Sequence, residues 1–121
     1  MSKQLQIAWS KEPDKDDYAA AEKFLTLMFD PKAASQVVQR LQKAPITRYA
    51  ARDILRAAGV SLLGVSDSDE ERQKILAGDK ISPLLLVRND KNAQVIVADG
   101  YHRLCTVYTF DERAMVPCKI V

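Results

Sequence analysis

The chain has 121 residues, 47% hydrophobic and 28% charged, with 18 Lys and Arg against 16 Asp and Glu and a formal net charge of +2. That length fits one compact domain with a sizeable core, and the composition excludes intrinsic disorder. So near a charge balance excludes binding driven by a global attraction to nucleic acid or membrane, and any basic site has to be local.

No signal-peptide pattern opens the sequence, and no uncharged apolar run reaches the ~18 residues that a bilayer span requires. The expectation is a soluble, cytoplasmic chain with no membrane partner. Cys105 and Cys118 are the only cysteines, without a CxxC, and His102 is the only histidine. Both thiols are expected to serve as small packing residues, and no metal site is expected, because structural zinc takes four closely spaced ligands.

In chain order, "QLQIAWS" alternates Leu5, Ile7 and Trp9, which predicts a short half-buried strand or extended arm with Trp9 packed inward. The charged "KEPDKDD" then reads as a solvated turn. From Tyr18 to Phe29, Ala21, Phe24, Leu25, Met28 and Phe29 recur at helical spacing and predict a helix with one stripe to bury. Asp30-Pro31 stops it and starts a second helix, with Asp30 as N-cap and Pro31 in the first turn, where a missing N–H costs nothing. Ala34, Val37, Val38 and Leu41 form the buried face of that second helix. The resulting αα-hairpin serves either to cover a sheet or to hold a protein partner.

"ITRYAARDILRAAG" predicts a third helix capped by Thr47, with Ala51, Ile54, Leu55 and Ala58 inward and Gly59 ending it. Arg48, Arg52 and Arg56 then share one helix face, either as a solvated row or as a DNA-binding one. In "SDSDEERQKILAGDK", Ser68 and Glu71 have capping-box spacing and Gly78 marks the stop of a short helix; the acidic cluster is explained by helix capping and lacks the spacing of a calcium loop.

The last third is the most telling. "SPLLLVR" and "AQVIVA", joined by "NDKN", predict a β-hairpin, with near-continuous apolar runs that imply burial on both faces. Tyr101 to Phe110 follows as a helix, and "VPCKIV" as a final strand whose Pro117 points to a strand start or an edge. The fold class is therefore α+β: a small mixed sheet of the hairpin, the final strand and the N-terminal strand, packed with helices.

Asp99-Gly100-Tyr101-His102-Arg103 carries the chemistry. A buried strand passes through a glycine into a helix start, whose first amides lack intrahelical acceptors and whose dipole is positive. His102 and Arg103 there need a negative neighbour. Two arrangements supply one: Asp99 caps the helix while Arg103 bonds a carboxylate of the fold, or a phosphate sits over the amides, clasped by Arg103 and hydrogen-bonded by His102.

The run "SPLLLVRNDKNAQVIVADGYHRLCTVYTFDERAMVPCKIV" resembles the core of the ParB-like/sulfiredoxin superfamily, in which a β-hairpin leads into a Gly-x-His-Arg or Gly-Glu-Arg-Arg turn, a helix and a closing strand. The matching turn is Gly100-Tyr101-His102-Arg103, and with Asp99 it takes the Asp-Gly-x-His-Arg form of free serine kinases and other ParB-like proteins. The resemblance implies a single domain over 1–121, with 1–43 as an N-terminal helical extension and 44–121 as the family core. It implies a nucleotide or phosphorylated small molecule as ligand (ATP, ADP or CTP, with Mg²⁺), bound by Gly100, Tyr101, His102 and Arg103. Asp99 and His102 are the implied catalytic pair for phosphoryl transfer or nucleotide hydrolysis. A non-catalytic protein-interaction module and a DNA-associated accessory protein are the alternatives on the same scaffold. Tyr101 stands where sulfiredoxin has its reactive cysteine, which argues against sulfinic acid reduction. The Asn-Pro motif of the usual N-terminal strand has no counterpart, and neither does the helix-turn-helix domain of ParB clamps.

Overall fold

A computed structural model describes residues 6–121. Five helices, α1 (Lys15–Leu25), α2 (Pro31–Lys43), α3 (Ala51–Ala57), α4 (Asp69–Leu76) and α5 (Tyr101–Phe110), surround four strands, β1 (Thr47–Ala50), β2 (Leu84–Asn89), β3 (Gln94–Asp99) and β4 (Met115–Ile120). The strand order is β1-β4-β2-β3. β2 pairs antiparallel with β3 and parallel with β4, and β4 pairs antiparallel with β1, so the sheet is mixed and the class is α+β.

Alternation along β2 divides the molecule. Leu84 and Leu86 enter one apolar core with Ile54 and Leu55 of α3, Ile75 of α4, and Leu104 and Val107 of α5. Leu85 and Val87 enter a second core with Ala21 and Leu25 of α1 and Ala34, Val38 and Leu41 of α2. Successive side chains of a strand point to opposite faces, so an unbroken apolar run requires helices on both. β3 only half meets the expectation of burial on both faces: apart from Ala98 its residues are half-buried or exposed, because it is an edge strand.

The αα-hairpin covers the sheet as its apolar spacing predicts, and Asp30 caps α2 by accepting the Ala33 amide at 2.8 Å, with Pro31 in the first turn. α1, however, starts and ends earlier than its apolar pattern suggests. Its first turn is fixed by Asp14, whose amide donates to Asp17 Oδ2 at 2.9 Å. Because the chain turns away after Leu25, Phe24 and Met28 remain 41% and 48% exposed rather than joining the stripe.

Four further expectations are corrected. Thr47 does not cap a helix: Thr47 to Ala50 is β1, paired with Cys118 to Met115, and the helix begins only at Ala51. Long-range pairing of a β-branched and aromatic segment outweighs local helix propensity here. Consequently Arg48 lies on a strand, and the Arg48, Arg52, Arg56 helix row does not exist; Arg52 pairs with Glu112 at 3.2 Å, and Arg56 approaches Asp53 at 3.7 Å. The fourth strand is β1 rather than the N-terminal segment, which contributes one parallel bridge from Trp9 to Ile81, while Leu5 lies outside the described residues. Ser68 stands at the α4 N-cap without a side-chain cap, and its amide donates to Thr106 Oγ1 at 3.1 Å instead of to Glu71.

Pro117 is neither at an edge nor at a strand start. It is the third residue of β4, an interior strand, opposite Arg48. An antiparallel ladder alternates hydrogen-bonded and non-bonded pairs, and proline fits only a non-bonded one. On its other side the ladder to β2 begins one residue later, at Cys118, so no bond is forfeited there either.

Lys119 fastens the layers together. Its side chain is 5% exposed, with Nζ 3.2 Å from Glu12 Oε2, donating to the Gln42 carbonyl at 3.0 Å and lying 5.6 Å from the Tyr18 ring centroid. Its pKa is raised: burial disfavours the charge, but hydrogen bonds and attraction from Tyr18 and Glu12 outweigh that cost.

Leu85→Ala, at a fully buried position, is expected to cost about 2–5 kcal/mol in urea unfolding, against about 1 kcal/mol for the cap removal Asp30→Ala. Equal midpoints for the two variants would contradict burial of β2 on both faces.

Candidate functional site

α5 starts immediately after β3 because Gly100, at φ +102°, turns the chain in a left-handed conformation. A Cβ there would collide with Leu84 Cδ2 and lie 2.9 Å from Arg103 Nη2, so glycine is required both by the backbone and by the space. The group that approaches this main chain is therefore the guanidinium of the same turn.

Arg103 folds back toward the sheet. Nη2 donates to Asp99 Oδ2 at 2.9 Å and to the Pro83 carbonyl at 3.5 Å, and Nε donates to the Ser82 carbonyl at 3.1 Å. Both ion-pair side chains are mostly buried, Arg103 at 15% and Asp99 at 16% exposure. Asp99 thus neutralises the cation at the positive end of the helix dipole, but it does so from the last position of β3 and without capping α5. The amides of Tyr101, His102 and Arg103 find no acceptor among the described residues, and neither does Arg103 Nη1.

Behind the ion pair lie groups that local sequence does not reveal. Asp17, from α1, reaches Asp99, and Asp14 Oδ2 accepts the Ser82 hydroxyl at 3.2 Å. Burial, the largest single effect, pushes the Asp99 carboxyl above its ordinary value of 3.8; the hydrogen bond and charge of Arg103 pull it down, and Asp17 pushes it up again.

His102 faces the other way. It is exposed, and with Tyr101 and Cys105 it forms one wall of a cleft of about 500 Å³ whose opposite wall is the 64–70 segment, including Ser66, Asp67 and Ser68. Asp67 is held by Arg72 at 3.0 Å. The Tyr101 and His102 rings meet edge to face at 5.8 Å. The 64–70 segment could not be assigned to this cleft from spacing, because the contact spans more than 30 residues, as the Ser68 amide bonded to Thr106 Oγ1, 38 positions away, illustrates.

The structure therefore divides the five predicted residues. Gly100, Tyr101 and His102 form an open helix start beside a cleft, while Asp99 and Arg103 are bonded to each other. Cys105 and Cys118 are buried and unbridged. Burial raises both thiols, Cys118 to about 11, so neither is a ready thiolate nucleophile at neutral pH. Among the described residues no cluster of three or more His, Cys, Asp or Glu side chains is placed to hold a metal ion, and no helix is long and apolar enough to cross a membrane. Searches against family models, curated proteins and solved structures find no match for this chain.

Two outcomes test the corner. Gly100→Ala is expected to destabilise by at least the ~1–3 kcal/mol of a non-glycine residue held in the left-handed region, read from the urea midpoint. For Asp99, a raised folded-state pKa means that the folded protein binds the proton more tightly than the unfolded chain, so this group's support is present at low pH and lost as pH rises from 3.8 through the raised value. The unfolding free energy of the wild type minus that of Asp99→Asn, measured from about pH 3 to about pH 7, is expected to fall across that window. A rising difference would mean that the ion pair with Arg103 outweighs burial.

Proposed function

We propose that the chain is a ParB-like domain that binds a nucleotide or another phosphorylated ligand at the 99–103 turn. The observation that carries this reading is the open start of α5: three consecutive amides without acceptors among the described residues, next to a guanidinium fixed against Gly100. Backbone amides converging at a helix N-terminus favour phosphate through both hydrogen bonding and the dipole. His102 is the exposed side-chain donor, and the adjoining cleft has room for the rest of a ligand.

Arg103 takes a narrower part than an open fork of two donors, because Nε and Nη2 are bonded within the fold. Its charge is already half spent on Asp99, and Nη1 is the donor left for an oxyanion. Among the described residues no cluster of three or more His, Cys, Asp or Glu side chains stands at the turn, so Mg²⁺ would be held chiefly by the ligand's own phosphates. In phosphoryl transfer or nucleotide hydrolysis here, Asp99 would act through its hold on Arg103, and His102 would be the side chain able to exchange a proton with the cleft.

A protein-interaction module is the second reading, favoured by Phe24, Leu27 and Met28, which are 41%, 79% and 48% exposed where α1 ends. The DNA reading loses its geometric basis with the arginine row. Titration with ATP, ADP, CTP and GTP, with and without Mg²⁺, is expected to move the amide resonances of Gly100, Tyr101 and His102 saturably. His102→Ala, at an exposed position, should weaken the responding nucleotide about tenfold, the worth of one charge-assisted hydrogen bond. Resonances that stay still with all four nucleotides would leave the interaction module as the better reading.

A further inference from the structure

A second cavity, of about 290 Å³, shares no lining residue with the cleft at α5. Leu86 and Val95 of the hairpin, Ile54 and Ala57 of α3, and Ile120 of β4 give it apolar walls. Two charged residues, Asp53 and Arg88, share that lining.

Neither charge is closely paired among the described residues. Asp53 Oδ1 has only long contacts, 3.9 Å to Arg52 Nε and 3.7 Å to Arg56 Nη1, and Arg52 Nε is itself buried without a hydrogen-bond partner. The Arg88 guanidinium has no carboxylate within 4.0 Å among the described residues, Asp53 included. Asp53 and Arg88 thus both border one small, mainly apolar cavity without pairing with each other. Cavities for drug-sized ligands run about 300–1,000 Å³, so this one suits a molecule of amino-acid size and excludes a nucleotide.

We propose that this cavity binds a small zwitterion with an apolar side group, the class of the free aliphatic and aromatic amino acids. The side group packs against Leu86, Val95 and Ile54, Arg88 takes the carboxylate through two donors, and Asp53 takes the ammonium. The charged contacts form at the solvent-facing rim, where among the described residues Arg88 has no carboxylate partner and Asp53 only long ones, while the apolar walls take the side group.

The probes are L-leucine and L-phenylalanine, run beside leucinamide, which lacks the carboxylate, and N-acetyl-leucine, which lacks the ammonium. Saturable amide shifts at Ile54, Leu86 and Val95 are expected for the two amino acids, with Gly100 to His102 unmoved, and each blocked derivative should bind at least about tenfold more weakly. Both charged residues are exposed, so Arg88→Gln and Asp53→Asn should stay folded by circular dichroism. Arg88→Gln should abolish the preference for leucine over leucinamide, and Asp53→Asn the preference over N-acetyl-leucine. No saturable shift up to about 10 mM amino acid, equal binding of the blocked derivatives, or preferences that survive both substitutions would overturn the assignment.

Discussion

Four consecutive leucine and valine side chains, Leu84 to Val87, are enclosed on both sides of one strand, and the rest of the architecture follows from having to cover them. A sheet with one wet face would place two of the four in water, at a cost of about 1.5–3 kcal/mol each. α1 and α2 take one side, and α3 and α5 the other. That arrangement fixes Ser82 and Pro83 just before the strand, and their carbonyls become acceptors for Arg103. The corner at the start of α5 is therefore shaped by the same strand that organises the two cores.

A cation at the positive end of a helix is unfavourable on its own, and this chain resolves the conflict internally. Asp99, four residues before Arg103, supplies the compensating charge, and Gly100 leaves the space in which the guanidinium lies. The ion pair is sealed well enough that burial dominates the Asp99 carboxyl. Because the anion goes to the side chain and not to the amides, the helix start keeps its unpaired donors. The two arrangements that the sequence left open are thus mixed: the cation is quenched by the fold, and the amides are not.

Much of this was legible in the residues. Asp30-Pro31, the apolar spacing of α2, the β-hairpin and the bounds of α5 follow from short-range physics that sequence exposes directly. What was hidden depends on partners far along the chain. Thr47 to Ala50 looks helical because the helix does follow, yet the strand exists only through pairing with Cys118 to Met115. Pro117 suggested an edge because its neighbours in the ladder could not be read, and a non-bonded pair position leaves no trace in composition. The site shows the same division. Asp99, Gly100, Tyr101, His102 and Arg103 are adjacent in sequence and were found together, whereas Asp17, Ser82 and the 64–70 wall are brought there by packing alone.

The buried ammonium of Lys119 has a consequence for the order in which the molecule can be assembled. It belongs to β4, the latest of the four strands in chain order, yet it grips Glu12 and the Gln42 carbonyl, which are made well before it. β4 also lies between β1 and β2, so the sheet has a gap until that strand arrives. A nascent chain halted before Met115 would already have the β2–β3 hairpin between its two layers, yet β1 would have no strand to pair with and Glu12 would lack its ammonium.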